Sequence, residues 1–136
     1  MPDLRAELQT ALGARYRIIR ELAGDGMSRV FLGDEVGLER EIAVKVLAFD
    51  RIDEARVERF RLEVLQTARL QQPTIVPLLE VGAIENVPGH HVPFCIRPYA
   101  RGESLRNRIL LDGRLSLNVT LRVLRSIFDA LACAPA

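Results

Sequence analysis

Tryptophan is absent from this chain of 136 residues, and the aromatic share is only 5%. A hydrophobic core here must therefore be built mainly from aliphatic side chains. Cysteine is scarce as well. Cys95 and Cys133 stand far apart in apolar surroundings, which argues for reduced packing residues and against a disulfide framework. No apolar run approaches the roughly 20 residues of a membrane span. The opening "MPDLRAELQTALGARY" is too mixed and charged to serve as a signal peptide. Together these absences predict a soluble, cytoplasmic protein. Neither sign of charge dominates: 19 basic and 18 acidic residues leave a net charge of +1, so no general attraction to nucleic acid or to a membrane surface follows.

What is present has a globular balance, 49% hydrophobic and 27% charged, and the length suits one small domain or a piece of a larger one. Residues 2–12 predict a short amphipathic helix with Leu4, Leu8 and Leu12 spaced by four. "YRIIREL" and "SRVFLGDE" then read as two strands joined by a glycine turn, and the β-branched run "EIAVKVLAF" as a third, forming an antiparallel meander. Over residues 53–71 the period changes. Asp53 suits an N-cap, Val57, Phe60, Val64 and Ala68 mark an apolar face, and Pro73 ends the helix. "TIVPLLEVGAI" and "VPFCIRPYA" predict two more strands around the loop "ENVPGHH". A short helix over 104–111 follows. The last helix carries Leu117, Leu121, Leu124, Phe128 and Leu131 on one stripe. Antiparallel strands with segregated helices indicate an α+β layer architecture, a five-stranded sheet with one packed helix.

Two side chains break this pattern in a way that suggests chemistry. Lys45 sits inside "IAVKVL", where alternation puts it on one face with Ala43 and Leu47. Glu63 shares a helix face with Phe60, Val64 and Thr67. A carboxylate on an apolar face calls for a cation, and Lys45 is the obvious partner. The alternative is a lysine that only snorkels at a sheet edge. His90 and His91, adjacent in a Gly/Pro loop with no further His, read as solvated, and no metal site is assigned. Arg51, Arg56, Arg59, Arg61 and Arg69 alternate with acids along the helix and read as a solvated face.

A glycine hairpin, then "AVKVL", then a helix with an inward glutamate resembles the N-terminal lobe of a protein kinase, closest to bacterial serine/threonine kinases of the eukaryotic-like type. "QQPTIVPLLEVG" and "PFCIRPYARGESLRNRI" continue the likeness through the hinge into the next helix. It runs from about residue 16 to the end. The resemblance implies an N-terminal extension over 1–15, an N-lobe and hinge over 16–100, and the start of a C-lobe over 101–136. It further implies that Lys45 contacts the α- and β-phosphates of ATP while paired with Glu63. Leu22, Val30 and Ala43 would form an apolar ceiling over adenine, and Pro98, Tyr99 and Ala100 the hinge. Adenine would bond the Pro98 carbonyl, which proline keeps, and the Ala100 amide.

Three departures qualify that inheritance. In the phosphate loop, with Ala23, Gly24, Asp25, Gly26 and Ser28, the family's three glycine positions fall on Ala23, Asp25 and Ser28. Asp25 would repel a phosphate by roughly 3 kcal/mol at about 6 Å and an effective dielectric near 20. The alternative turns Asp25 into water and leaves Gly24 and Gly26 to keep the turn flexible. Arg97 takes the position behind adenine where the family usually has an apolar side chain, and is expected to compete with Lys45 for Glu63; the alternative is a small rotation that sends Arg97 to solvent. No H-R-D with a following Asn and no D-F-G occurs in the sequence. The expectation is a truncated kinase domain, inactive alone, binding ATP weakly and using Mg²⁺ only with the missing C-lobe, where protein substrates would also dock. The alternative is a non-catalytic interaction module that associates through Leu117, Leu121, Leu124, Phe128 and Leu131.

Overall fold

In the computed structural model the described residues are 3–133, apart from 23, 25, 88 and 89. The chain divides into two compact units, Met1–Arg69 with Pro77–Tyr99, and Leu70–Val76 with Ala100–Ala136.

The first unit is built on a sheet. Helix α1 (Leu4–Leu12) starts at Asp3, whose carboxylate accepts the Arg5 amide at 3.1 Å, and is closed by Gly13. Strands β1 (Tyr16–Leu22), β2 (Ser28–Glu35) and β3 (Arg40–Leu47) form the expected meander. Helix α2 (Glu54–Ala68) begins at Asp53, which accepts the Arg56 amide at 2.8 Å, and β4 (Glu80–Val87) and β5 (His90–Pro98) complete the sheet in the order β1-β2-β3-β5-β4. Every neighbouring pair is antiparallel.

The two faces of this sheet are covered by different helices. Leu4, Leu8 and Leu12 of α1 are buried with Phe31, Val44, Val46, Phe94 and Ile96 on one face, so the N-terminal helix completes the larger core. On the other face Phe60 and Val64 of α2 pack against Cys95 and Leu78. The first core also forces glycine at one strand position: a Cβ on Gly82 would lie 2.5 Å from Cζ of Phe94, whose ring covers it.

Four boundaries depart from expectation. "TIVPLL" is not strand, because Pro73 and Pro77 lack the N–H a ladder needs, and pairing begins only at Glu80. Helix α2 stops at Ala68, before Pro73 would require it. Strand β3 ends at Leu47, and Phe49 enters a 3₁₀ turn over Phe49–Arg51. The β4–β5 loop is also shorter than "ENVPGHH", since Val87 pairs with His90.

In the second unit Ser104 accepts the Asn107 amide at 3.1 Å and starts α3 (Leu105–Asp112). Ser116 does the same for the Val119 amide at 3.2 Å at the start of α4 (Leu117–Cys133). The α4 stripe is exposed, from 41% at Leu124 to 73% at Leu117. Both cysteines are free, Cys95 buried and Cys133 exposed. No helix among the described residues is long and apolar enough to cross a membrane.

Candidate functional site

Strand register assembles the site. Directly opposed residues of antiparallel strands share a face. Leu22 faces Val30, Val30 faces Lys45, Lys45 faces Cys95, and Cys95 faces Val81, so one row crosses the whole sheet. Leu32, Ala43 and Arg97 form the adjoining row. Leu22, Val30 and Ala43 are half-buried, leaving an apolar strip of strand surface between the cations Lys45 and Arg97. Lys45 is the only lysine in a chain with eighteen arginines.

Lys45 Nζ lies 3.5 Å from Oε1 of Glu63 on α2, with the two side chains 28% and 61% exposed. The expected partnership is therefore formed, at the rim of the helix's buried face. It opens onto a cavity of about 140 Å³ lined by Met27, Ser28, Lys45, Leu47, Arg56, Arg59, Phe60 and Glu63. Arg56 and Arg59 were assigned above to a solvated face; the structure turns both toward this cavity. Their spacing gives the reason, because residues 56, 59, 60 and 63 recur at three- and four-residue steps and so share one side of α2. Lys45, Arg56 and Arg59 bring positive charge to its wall, with Lys45 paired to Glu63 and Arg56 to Asp53 at 3.3 Å.

The glycine loop gains a steric explanation. Ala23 and Asp25 lie outside the described residues. A Cβ on Gly24 would fall 2.2 Å from the Ser28 carbonyl oxygen and 3.3 Å from Arg29 Cα, so the backbones approach too closely for any side chain. Gly26 has φ +83°, a conformation that L side chains rarely adopt. Close approach and a left-handed turn, rather than flexibility, explain these two glycines. Ser28 is buried and pairs with Leu47 at the cavity wall.

Arg97 is half-buried, and its Nη2 donates to Oγ1 of Thr67 at 3.3 Å, one turn along α2 from Glu63. Glu63 stays with Lys45. Burial pushes the Cys95 thiol above its ordinary value of 9.0, against the pull of the neighbouring Arg97 guanidinium. Pro98 closes β5 opposite Ile42, and the Tyr99 amide donates to the Glu41 carbonyl at 3.2 Å. Ala100 is exposed and belongs to the second unit. Among the described residues no group of three or more His, Cys, Asp or Glu is arranged to hold a metal ion.

A five-stranded antiparallel sheet with one helix held to it by a lysine–glutamate pair defines the N-lobe of a protein kinase. The structure resembles the kinase domain of PknI from Mycobacterium tuberculosis with a TM-score of 0.64, covering 88% of this chain and 47% of that one at 24% identity. At that identity the likeness speaks for the fold. In sequence, the chain is 31% identical over 124 residues to serine/threonine-protein kinase PrkC of Bacillus subtilis, covering 90% of this chain and 18% of the relative. It is 35% identical over 124 residues to a probable serine/threonine-protein kinase, pknA2, of Bifidobacterium longum, covering 88% and 16%. With PknA of Corynebacterium glutamicum it shares 31% over 126 residues, covering 92% and 27%. The chain belongs to the family of bacterial serine/threonine protein kinase domains. It spans less than a third of the length of each of these three relatives. No protein-family model matches it.

Proposed function

We propose that these residues form the ATP-binding lobe of a serine/threonine protein kinase. The observation that carries this reading is the Lys45–Glu63 pair at the edge of a cavity, beside the apolar strip of Leu22, Val30 and Ala43. In it the strip takes the adenine, the Pro98 carbonyl accepts from the base, and Lys45, oriented by Glu63, draws the α- and β-phosphates. Gly24 and Gly26 let the β1–β2 backbone come close to the phosphates. Mg²⁺, when bound in a complete kinase, neutralises charge on the polyphosphate. The motifs that supply its ligands and the general base are not in these 136 residues, so we assign them nucleotide binding and not transfer to a protein hydroxyl.

Calorimetric titration with ATP and with adenosine tests the reading. A charge-assisted hydrogen bond is worth about 1.5–3 kcal/mol, so Lys45→Met should weaken ATP binding by roughly 10- to 100-fold. Adenosine, which has no phosphate, should bind the variant as it binds the parent. Equal ATP affinity for parent and variant would remove Lys45 from the site.

A second reading is favoured by the exposed stripe of α4. Five large apolar side chains, each worth about 1.5–3 kcal/mol when fully buried, form a surface that suits protein association. In this reading the unit is a non-catalytic interaction module. Sedimentation analysis would detect it as self-association or as a stoichiometric complex that the double change Leu121→Glu and Phe128→Glu abolishes.

A further inference from the structure

Two cationic side chains from the sheet, Lys45 and Arg97, reach polar groups of α2. Lys45 on β3 meets Glu63, and Arg97 on β5 meets Thr67. Their origins are adjacent, because Lys45 opposes Cys95 and Ala43 opposes Arg97 across the β3–β5 ladder. Their targets are adjacent too. Residues 63 and 67 are one helical turn apart and lie on the same side of α2. Thr67 links them directly, since its hydroxyl donates to the Glu63 backbone carbonyl while its oxygen accepts from Arg97 Nη2 at 3.3 Å. A hydroxyl can do both at once, with one hydrogen to give and lone pairs to receive.

The consequence is mechanical. Phe60 and Val64 seat α2 on the sheet, but the Glu63 side chain is 61% exposed, and an ion pair that open to water does little to fix the carboxylate itself. A second contact one turn away restricts the rotation and sliding that would move the carboxylate off Lys45. The cation at Arg97 also suits this place better than lysine would, because its planar fork holds direction while bonding.

We propose that Arg97 is a positioning residue that acts through the Thr67 hydroxyl to hold Glu63 against Lys45, and thereby sets the affinity for the phosphates of the nucleotide. This rests on the nucleotide-site reading above, and it reverses the expectation from sequence that Arg97 competes for Glu63. On the competitive view Arg97→Met strengthens nucleotide binding. On the present view it weakens ATP binding and leaves adenosine alone.

The test uses the full chain and two readouts. The first needs no nucleotide. Lys45 is the only lysine, so ¹³Cε-lysine labelling gives one side-chain signal, and a nuclear Overhauser contact from its Hε to Hγ of Glu63 reports the pair. That contact should be present in the parent and in Thr67→Ser, which keeps the hydroxyl. It should be lost in Thr67→Val, of the same shape, and in Arg97→Met. The second readout is affinity: one neutral-strength hydrogen bond corresponds to about a two- to tenfold weakening of ATP in Thr67→Val, restored in Thr67→Ser. Amide spectra confirm that each variant is folded. Persistence of the Lys45–Glu63 contact in both Thr67→Val and Arg97→Met overturns the proposal. If the contact is lost there while the parent binds no ATP, the positioning role stands and the nucleotide reading falls.

Discussion

Lys45 is the one basic residue of nineteen that is not an arginine, and its surroundings show what that choice does. A compact ammonium reaches Glu63 from the middle of a strand, where a guanidinium would demand bidentate geometry. Because the pair is partly exposed, Lys45→Met should shift the melting temperature very little while it changes ligand affinity, and scanning calorimetry checks the first half. Tyr16 predicts the opposite behaviour. Burial, and then the hydrogen bond its hydroxyl donates to Glu80 at 2.6 Å, push its phenol up to about 12 from 10.0. The folded state therefore holds this proton through a window in which the unfolded chain has released it, so stability falls as pH rises from about 10 toward 12. At about 1.36 kcal/mol per unit this amounts to about 2–3 kcal/mol, and the step should vanish in Tyr16→Phe when denaturant unfolding is followed against pH. A third outcome concerns thiols: a thiol reagent should modify Cys133 rapidly in the native protein and Cys95 only on unfolding. Lys45 and Glu63 were legible from alternation and helical spacing. The Arg97–Thr67 contact was not, since it depends on which strand lies beside β3 and where α2 crosses it.

At the scale of elements, α1 looked like an extension and proves to be part of the fold. Leu8 is fully buried against the sheet, so Leu8→Ala should cost about 2–5 kcal/mol, measured by denaturant unfolding. A cost below 1 kcal/mol would mean that α1 detaches readily. At the end of β2 sits a charged group of unusual burial. Glu35, 3% exposed in its side chain, is held by Arg40 at 2.6 Å and Arg15 at 3.4 Å, which compensate its charge. The β1–β2 loop carries a sharper prediction, because Gly24→Ala places a Cβ 2.2 Å from a backbone oxygen and must move the strand ends. Strands β1 and β2 were readable to the residue from β-branched runs and turn chemistry. Residues 74–79 misled because their apolar content resembles a strand, while Pro77 within them and Pro73 just before them deny it a ladder.

For the whole molecule, the sheet is covered on both faces within its own unit, by α1 on one side and α2 on the other. That arrangement explains how a sheet with so few aromatic residues is stabilised: aliphatic side chains are buried from two directions. On the α2 side Leu22, Val30 and Lys45 stay half-buried, whereas the face under α1 is buried. The chain's single lysine makes the decisive measurement simple. ATP titrated into ¹³Cε-lysine-labelled protein should move the one lysine signal in a saturable way, and adenosine should bind while moving it far less. ATP binding that leaves the Lys45 signal in place would contradict the account.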